Sequence, residues 1–169
     1  MLNHATNHTP NVGTNWKMIN KETGEIRFTA TLVVSPKTDF GEAMVLTEGL
    51  QRSLDDMKTG WKWIRLKAVE SDTAKYHIGL AFNNGELQLL DFIVDTKDSD
   101  PSENGYDNWS AQKEQIRLKE FEKWLTNEIG QQRTFEWGKI QAEFDPKGSF
   151  SSIAVHYTQK QKKTGANNI

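Results

Sequence analysis

The dipeptide Asn84-Gly85 constrains this chain more than any other pair of its residues. Asparagine and glycine both tolerate the positive φ angles of the tight turns that join antiparallel strands, because glycine has no Cβ and asparagine meets little penalty there. The flanking runs, Lys75 to Phe82 and Glu86 to Val94, read as strands. In the first, Tyr76, Ile78, Leu80 and Phe82 recur at the two-residue period of a pleated strand, and Leu90, Phe92 and Val94 of the second can join the same core. A hairpin with one apolar face is predicted, and the run Trp61 to Glu70 ahead of it makes three consecutive strands.

The flanking segments follow from the same period-counting. Trp16 to Ile19 and Glu25 to Val34 are β-rich runs around a turn ending in Gly24, and Ile26, Phe28, Ala30, Leu32 and Val34 alternate onto one face. After Pro36, Thr38 or Asp39 offers an N-cap for a helix carrying Phe40, Ala43, Met44, Leu50, Leu54 and Met57, with Gly60 as its stop. Gly41 and Gly49 weaken that helix by about 1 kcal/mol each. The stretch Asp95 to Tyr106 has no periodicity and reads as a loop. From a cap at Asp107 or Asn108, a long amphipathic helix with Trp109, Ile116, Phe121, Trp124, Leu125 and Ile129 runs to Gly130. Thr134 to Phe144 and Ser151 to Thr158 pair around Asp145-Pro146-Lys147-Gly148. The expected fold is α+β: an antiparallel sheet of about seven strands, in the order ββ-α-βββ-α-ββ, with two amphipathic helices on one face. The domain is expected to span 14–158, between a frayed or disordered segment 1–13 and a flexible basic tail 159–169.

That arrangement leaves the second face of the sheet to be explained. If the strand Trp61 to Glu70 is regular, Trp61, Trp63 and Val69 share a face with Arg65 and Lys67. Trp61 and Trp63 are candidates for partner contact, since tryptophan is enriched in interface hot spots. Phe135 and Trp137 form a second such pair. Core packing is the competing role for both.

Reactive chemistry finds little support. The chain has no cysteine, which excludes disulfides and thiolate sites and suits a reducing, cytoplasmic setting. No run approaches the roughly 18 apolar residues of a membrane span. His4, His8, His77 and His156 show no ligand spacing, although His77 and His156 could meet across the sheet. Counted as a calcium loop from Asp98, the sequence puts Asp100 and Ser102 in ligand positions but Glu103 where glycine is required, with Pro101 stiffening the turn. No nucleophile elbow, dinucleotide fingerprint or P-loop occurs, so neither cofactor nor metal is expected.

Charge points to a protein partner. The formal net charge is -2, and the tail carries Lys160, Lys162 and Lys163 without an acid, so the remainder is more acidic than the whole. A nucleic-acid binder would carry a basic stripe to neutralise phosphates. The acidic stretch Asp91, Asp95, Asp98, Asp100, Glu103 and Asp107 instead suggests an electrostatic surface for a basic partner.

The segment Phe135-Glu136-Trp137-Gly138-Lys139-Ile140, with Phe144-Asp145-Pro146-Lys147-Gly148 and Ser151-Ser152-Ile153, resembles one found in small bacterial immunity proteins, which neutralise toxins delivered between competing cells. The resemblance covers about 25 residues and holds no catalytic motif. It implies a cytosolic, compact, non-enzymatic inhibitor of a cognate toxin, often acidic because many such toxins are basic nucleases. Two other readings stay open: an enzyme using His77 or His156 as a base in a sheet-lined pocket, and a phage or secretion assembly module.

Overall fold

The structure, a computed structural model, describes residues 17–96 and 109–159. Its main element is a seven-stranded antiparallel sheet whose first four strands are β3 (Arg52–Asp56), β4 (Trp61–Glu70), β5 (Ala74–Asn83) and β6 (Glu86–Thr96). The others are β7 (Thr134–Phe135), β8 (Gly138–Asp145) and β9 (Phe150–Tyr157), and the spatial order is β3-β4-β5-β6-β9-β8-β7. A small pair, β1 (Ile26–Arg27) and β2 (Val33–Val34), precedes helix α1 (Phe40–Leu46), and helix α2 (Ala111–Ile129) links β6 to β7. The α+β class, the antiparallel pairing and the two helices agree with expectation. The composition of the seven does not, because β1 and β2 form a separate sheet while β3 and the split of β7 from β8 complete the count.

The β5–β6 hairpin lies at the centre. Asn84 and Gly85 take φ of 49° and 86°, so the turn forms as its residues predict. Its inner face buries Tyr76, Ile78, Leu80, Phe82, Leu90 and Phe92. Three aromatic side chains from the covering layer meet that face edge-on. Phe28 packs against Tyr76 and Phe92 at 5.4 and 5.3 Å between ring centres, Phe40 of α1 against Phe82 at 5.5 Å, and Trp124 of α2 against Phe92 at 6.0 Å. These edge-to-face pairs, each worth about 1 kcal/mol beyond the area they bury, hold the covering elements to one side of the sheet.

Several local expectations are corrected. The run 25–34 is not one strand, because Thr29 Oγ1 accepts from the Leu32 amide at 2.9 Å and bends the chain so that Ile26 pairs with Val34. Ala30 sits in that bend and is exposed. The first helix ends at Leu46, far short of Met57. Thr47 donates to the Ala43 carbonyl, Arg52 to that of Met44, Gly49 turns at φ 78°, and residues 52–56 pair with β4 instead. Leu50, Leu54 and Met57 are consequently exposed rather than in the core. In α2 the cap is Ser110, whose Oγ accepts from the Lys113 amide at 3.1 Å, while Trp109 and Ile116 are half exposed. The anticipated caps Asp107 and Asn108 lie outside the described residues. Gly130 ends the helix as expected, at φ 81°.

Two further irregularities shape the surface. A bulge between Leu66 and Val69, with Ala68 at φ 54°, turns Val69 to the buried side and takes it away from Trp61 and Trp63. The run Thr134 to Phe144 is broken by the tight turn at Glu136 and Trp137. There the indole stacks on Phe135 at 4.9 Å, fits beneath Gly24, and donates to the Lys21 carbonyl at 2.7 Å. A side chain at residue 24 would occupy the ring's place, and its φ of 75° favours glycine independently. The Phe135–Trp137 pair is thus structural, locking the 20–24 turn onto β8.

Replacing Trp137 by Ala is expected to lower stability by about 3–5 kcal/mol, since it empties a buried site and orphans the Lys21 carbonyl. Urea unfolding measures this, and a loss below about 1 kcal/mol would show that the indole does not tie the turn down.

Candidate functional site

Register determines what the helix-free face presents. Across β4, β5, β6, β9 and β8, one row reads Trp63, Ala81, Leu89, His156, Lys139, and the next reads Arg65, Gly79, Asp91, Ala154, Gln141. Trp61, opposite Asn83, and Asp95, opposite Lys75, lie on the same face. The strand register therefore brings Trp61, Trp63, Asp91 and Asp95 onto one surface. Asp98, Asp100, Glu103 and Asp107, with the calcium-loop spacing built on them, lie outside the described residues.

The face is laced with charge. The Arg65 guanidinium lies over the Trp63 ring at 4.4 Å and reaches Asp55 at 3.5 Å. His77 meets Asp95 at 3.2 Å and His156 meets Glu143 at 3.2 Å. Two strands and four residues separate the imidazoles, about 16 Å at ordinary strand spacings, so they do not converge on one ion or substrate. Among the described residues no group of three or more His, Asp or Glu could hold a metal.

Asp91 differs from the other acids on this face. Its carboxyl lies against Gly79 where any other residue would place a Cβ, which explains a glycine in the middle of an otherwise bulky strand. Burial pushes the carboxyl up to about 6; Arg65 and the Gly79 amide oppose that rise, and Asp145 and Glu143 add to it. The central carboxylate is thus poorly solvated at neutral pH.

Beyond Asp91 the sheet forks. The β6–β9 ladder runs only from Leu89–His156 to Phe92–Ile153, although β6 continues to Thr96 and β9 begins at Phe150. Glu114 of α2 fills the opening. Its carboxylate accepts from the Ser151 amide at 2.7 Å, its carbonyl accepts from the Ser151 hydroxyl at 3.1 Å, and Arg117 holds its other oxygen at 3.2 Å. Trp109 Nε1 donates to the Ser149 carbonyl at 2.6 Å. A cleft of about 930 Å³ runs from Asp91 and Gly79 past Arg65, Lys67 and His77 to the start of α2 and the turn Lys147 to Phe150. Sequence reading missed this cleft, and Glu114 looked like one more charge on a solvated helix face.

No family model matches the chain, and no curated protein matches it. A chain from the solved structure of Rhs1-CT in complex with cognate immunity protein RhsI1 shares the fold, with a TM-score of 0.52 at 14% identity, over 84% of this chain and 87% of that one. The likeness is one of fold, and it spans most of both chains. Among the described residues no helix is long and apolar enough to cross a membrane.

The raised Asp91 carboxyl has a stability consequence of definite sign. A folded-state value of about 6 against 3.8 means the folded protein favours the protonated form. The penalty is absent below about pH 4, grows as pH rises toward 6, and is then complete, at no more than about 3 kcal/mol given partial solvent access. Asp91→Asn should accordingly stabilise the protein by on the order of 2 kcal/mol at pH 7 and hardly at all at pH 4. Equal urea midpoint changes at the two pH values would refute a desolvated carboxylate.

Proposed function

We propose that this chain is a non-enzymatic binding protein of the immunity type, which neutralises a cognate toxin domain by covering it with the helix-free face of the sheet. The observation that carries this reading is the asymmetry of the sheet. Both helices and the β1–β2 pair lie on one side, while the other presents two partly buried tryptophans among Arg65, Asp91 and Asp95. Rigid aromatic rings rimmed by charge are what tight protein interfaces use as anchors. The shared fold with a chain of a complex that contains an immunity protein supports the same assignment. In this reading the protein acts in the cytoplasm, and the acidic residues Asp91, Asp95, Asp98, Asp100, Glu103 and Asp107 steer a basic partner such as a nuclease domain.

An enzymatic role for His77 or His156 gains nothing specific from the geometry, since each imidazole meets one carboxylate at the surface.

The direct test is to search the neighbouring reading frames for a toxin domain and co-express it with this protein, which should rescue growth and yield a complex on pull-down. Trp63→Ala should then weaken that complex at least tenfold while leaving unfolding stability within about 1 kcal/mol of the parent. Rescue and affinity unaffected by the substitution would move the interface off this face.

A further inference from the structure

The cleft at the fork carries a charge pattern opposite to that of the acidic stretch. Lys67 on the β4 bulge, Lys113 at the start of α2 and Lys147 in the β8–β9 turn line it, and all three are exposed. Among the described residues none has a carboxylate within ion-pair distance, whereas Arg65 and Arg117 in the same cleft are held by Asp55 and Glu114. Three separate elements thus bring ammonium groups to one opening.

Lys113 is the informative one. It is the third helical residue after the Ser110 cap, the position where glutamate completes a capping box and an acid favours the helix dipole. A lysine there opposes the helix dipole and adds its charge to the positive end of the helix, concentrating positive potential on the cleft. Trp109, half exposed beside it, offers an apolar wall.

We propose that this cleft is a docking slot for an acidic segment of the partner protein, whose carboxylates lie against Lys67, Lys113 and Lys147. The inference deepens the binding role proposed above and rests on it for the identity of the partner. A protein segment fits better than nucleic acid, because a long polyanion would have to cross a chain of net charge -2 and pass the Asp91 and Glu114 carboxylates in the same cleft.

The test uses the full chain, labelled with nitrogen-15, titrated at low salt with a blocked hexaglutamate peptide. Amide shifts should concentrate at Lys67, Lys113, Lys147 and the Trp109 indole, and the double variant Lys113→Glu, Lys147→Glu should bind at least tenfold more weakly. Folding is not at risk at residue 113, since glutamate suits that helical position, and an unchanged far-field amide spectrum checks it. Absent or scattered shifts, undiminished binding by the double variant, or tighter binding of a six-residue oligothymidylate at the same lysines would each overturn the proposal. Peptide binding here with no toxin captured on co-expression would leave the cleft standing and remove the immunity reading; toxin capture unaffected by the double variant would do the reverse.

Discussion

The rest of the structure depends on the inner face of the β5–β6 hairpin. Tyr76, Ile78, Leu80, Phe82, Leu90 and Phe92 form an apolar surface whose exposure to water is costly, and burying it is the dominant favourable term in folding. Phe28, Phe40 and Trp124 reach it from three different parts of the chain, so the β1–β2 pair, α1 and α2 all gather on the same side. Because the side-chain period of a strand is two, committing the even-numbered residues of β5 to the core commits His77, Gly79 and Ala81 to the opposite surface. The helix-free face is therefore a consequence of the core, and its composition can vary without disturbing the fold.

What was legible in the sequence follows how local its cause was. The Asn84-Gly85 turn, the alternation of β5 and the Gly130 stop depend on neighbouring residues, and each appears where the pattern puts it. The helical count ran past Leu46 because the apolar spacing continues into residues 52–56, which instead form a hairpin with β4 across the turn at 57–60. Val69 changed face through a bulge at Ala68, an alanine that gives no warning of a positive φ. Of the site, Trp61, Trp63, Asp91 and Asp95 could be placed together by counting alternate positions. The cleft could not, since it exists only where the β6–β9 ladder stops and α2 meets the opening.

Glu114 shows how the fork is kept from being a defect. A sheet that splits exposes amides that pairing would have satisfied, and the Ser151 amide is one of them. The buried Glu114 carboxylate takes that amide, and Arg117 balances its charge, so α2 closes one side of the opening and leaves the other as a cleft. The same helix caps an outer edge of the sheet, with Glu122 accepting from the Ala142 amide at 3.3 Å where β7 no longer covers β8. One helix thereby handles two of the places where the ladder is interrupted.

The two polar features that cost the isolated protein stability both face this region. Asp91 keeps a poorly solvated carboxylate at the centre of the free face, and Lys113 puts a cation where the helix favours an anion. Neither is needed by the core: asparagine would fit the space beside Gly79, and glutamate would improve the cap. Stability alone would favour both replacements, which is what the binding role proposed above leads one to expect of charges kept for a partner. On the binding role proposed above, their opposite signs within one continuous surface make recognition a matter of charge pattern. A partner that matched only the net charge of the chain would meet repulsion at one end of the cleft or the other, whereas one with a basic group toward Asp91 and acidic groups toward Lys113 would relieve both.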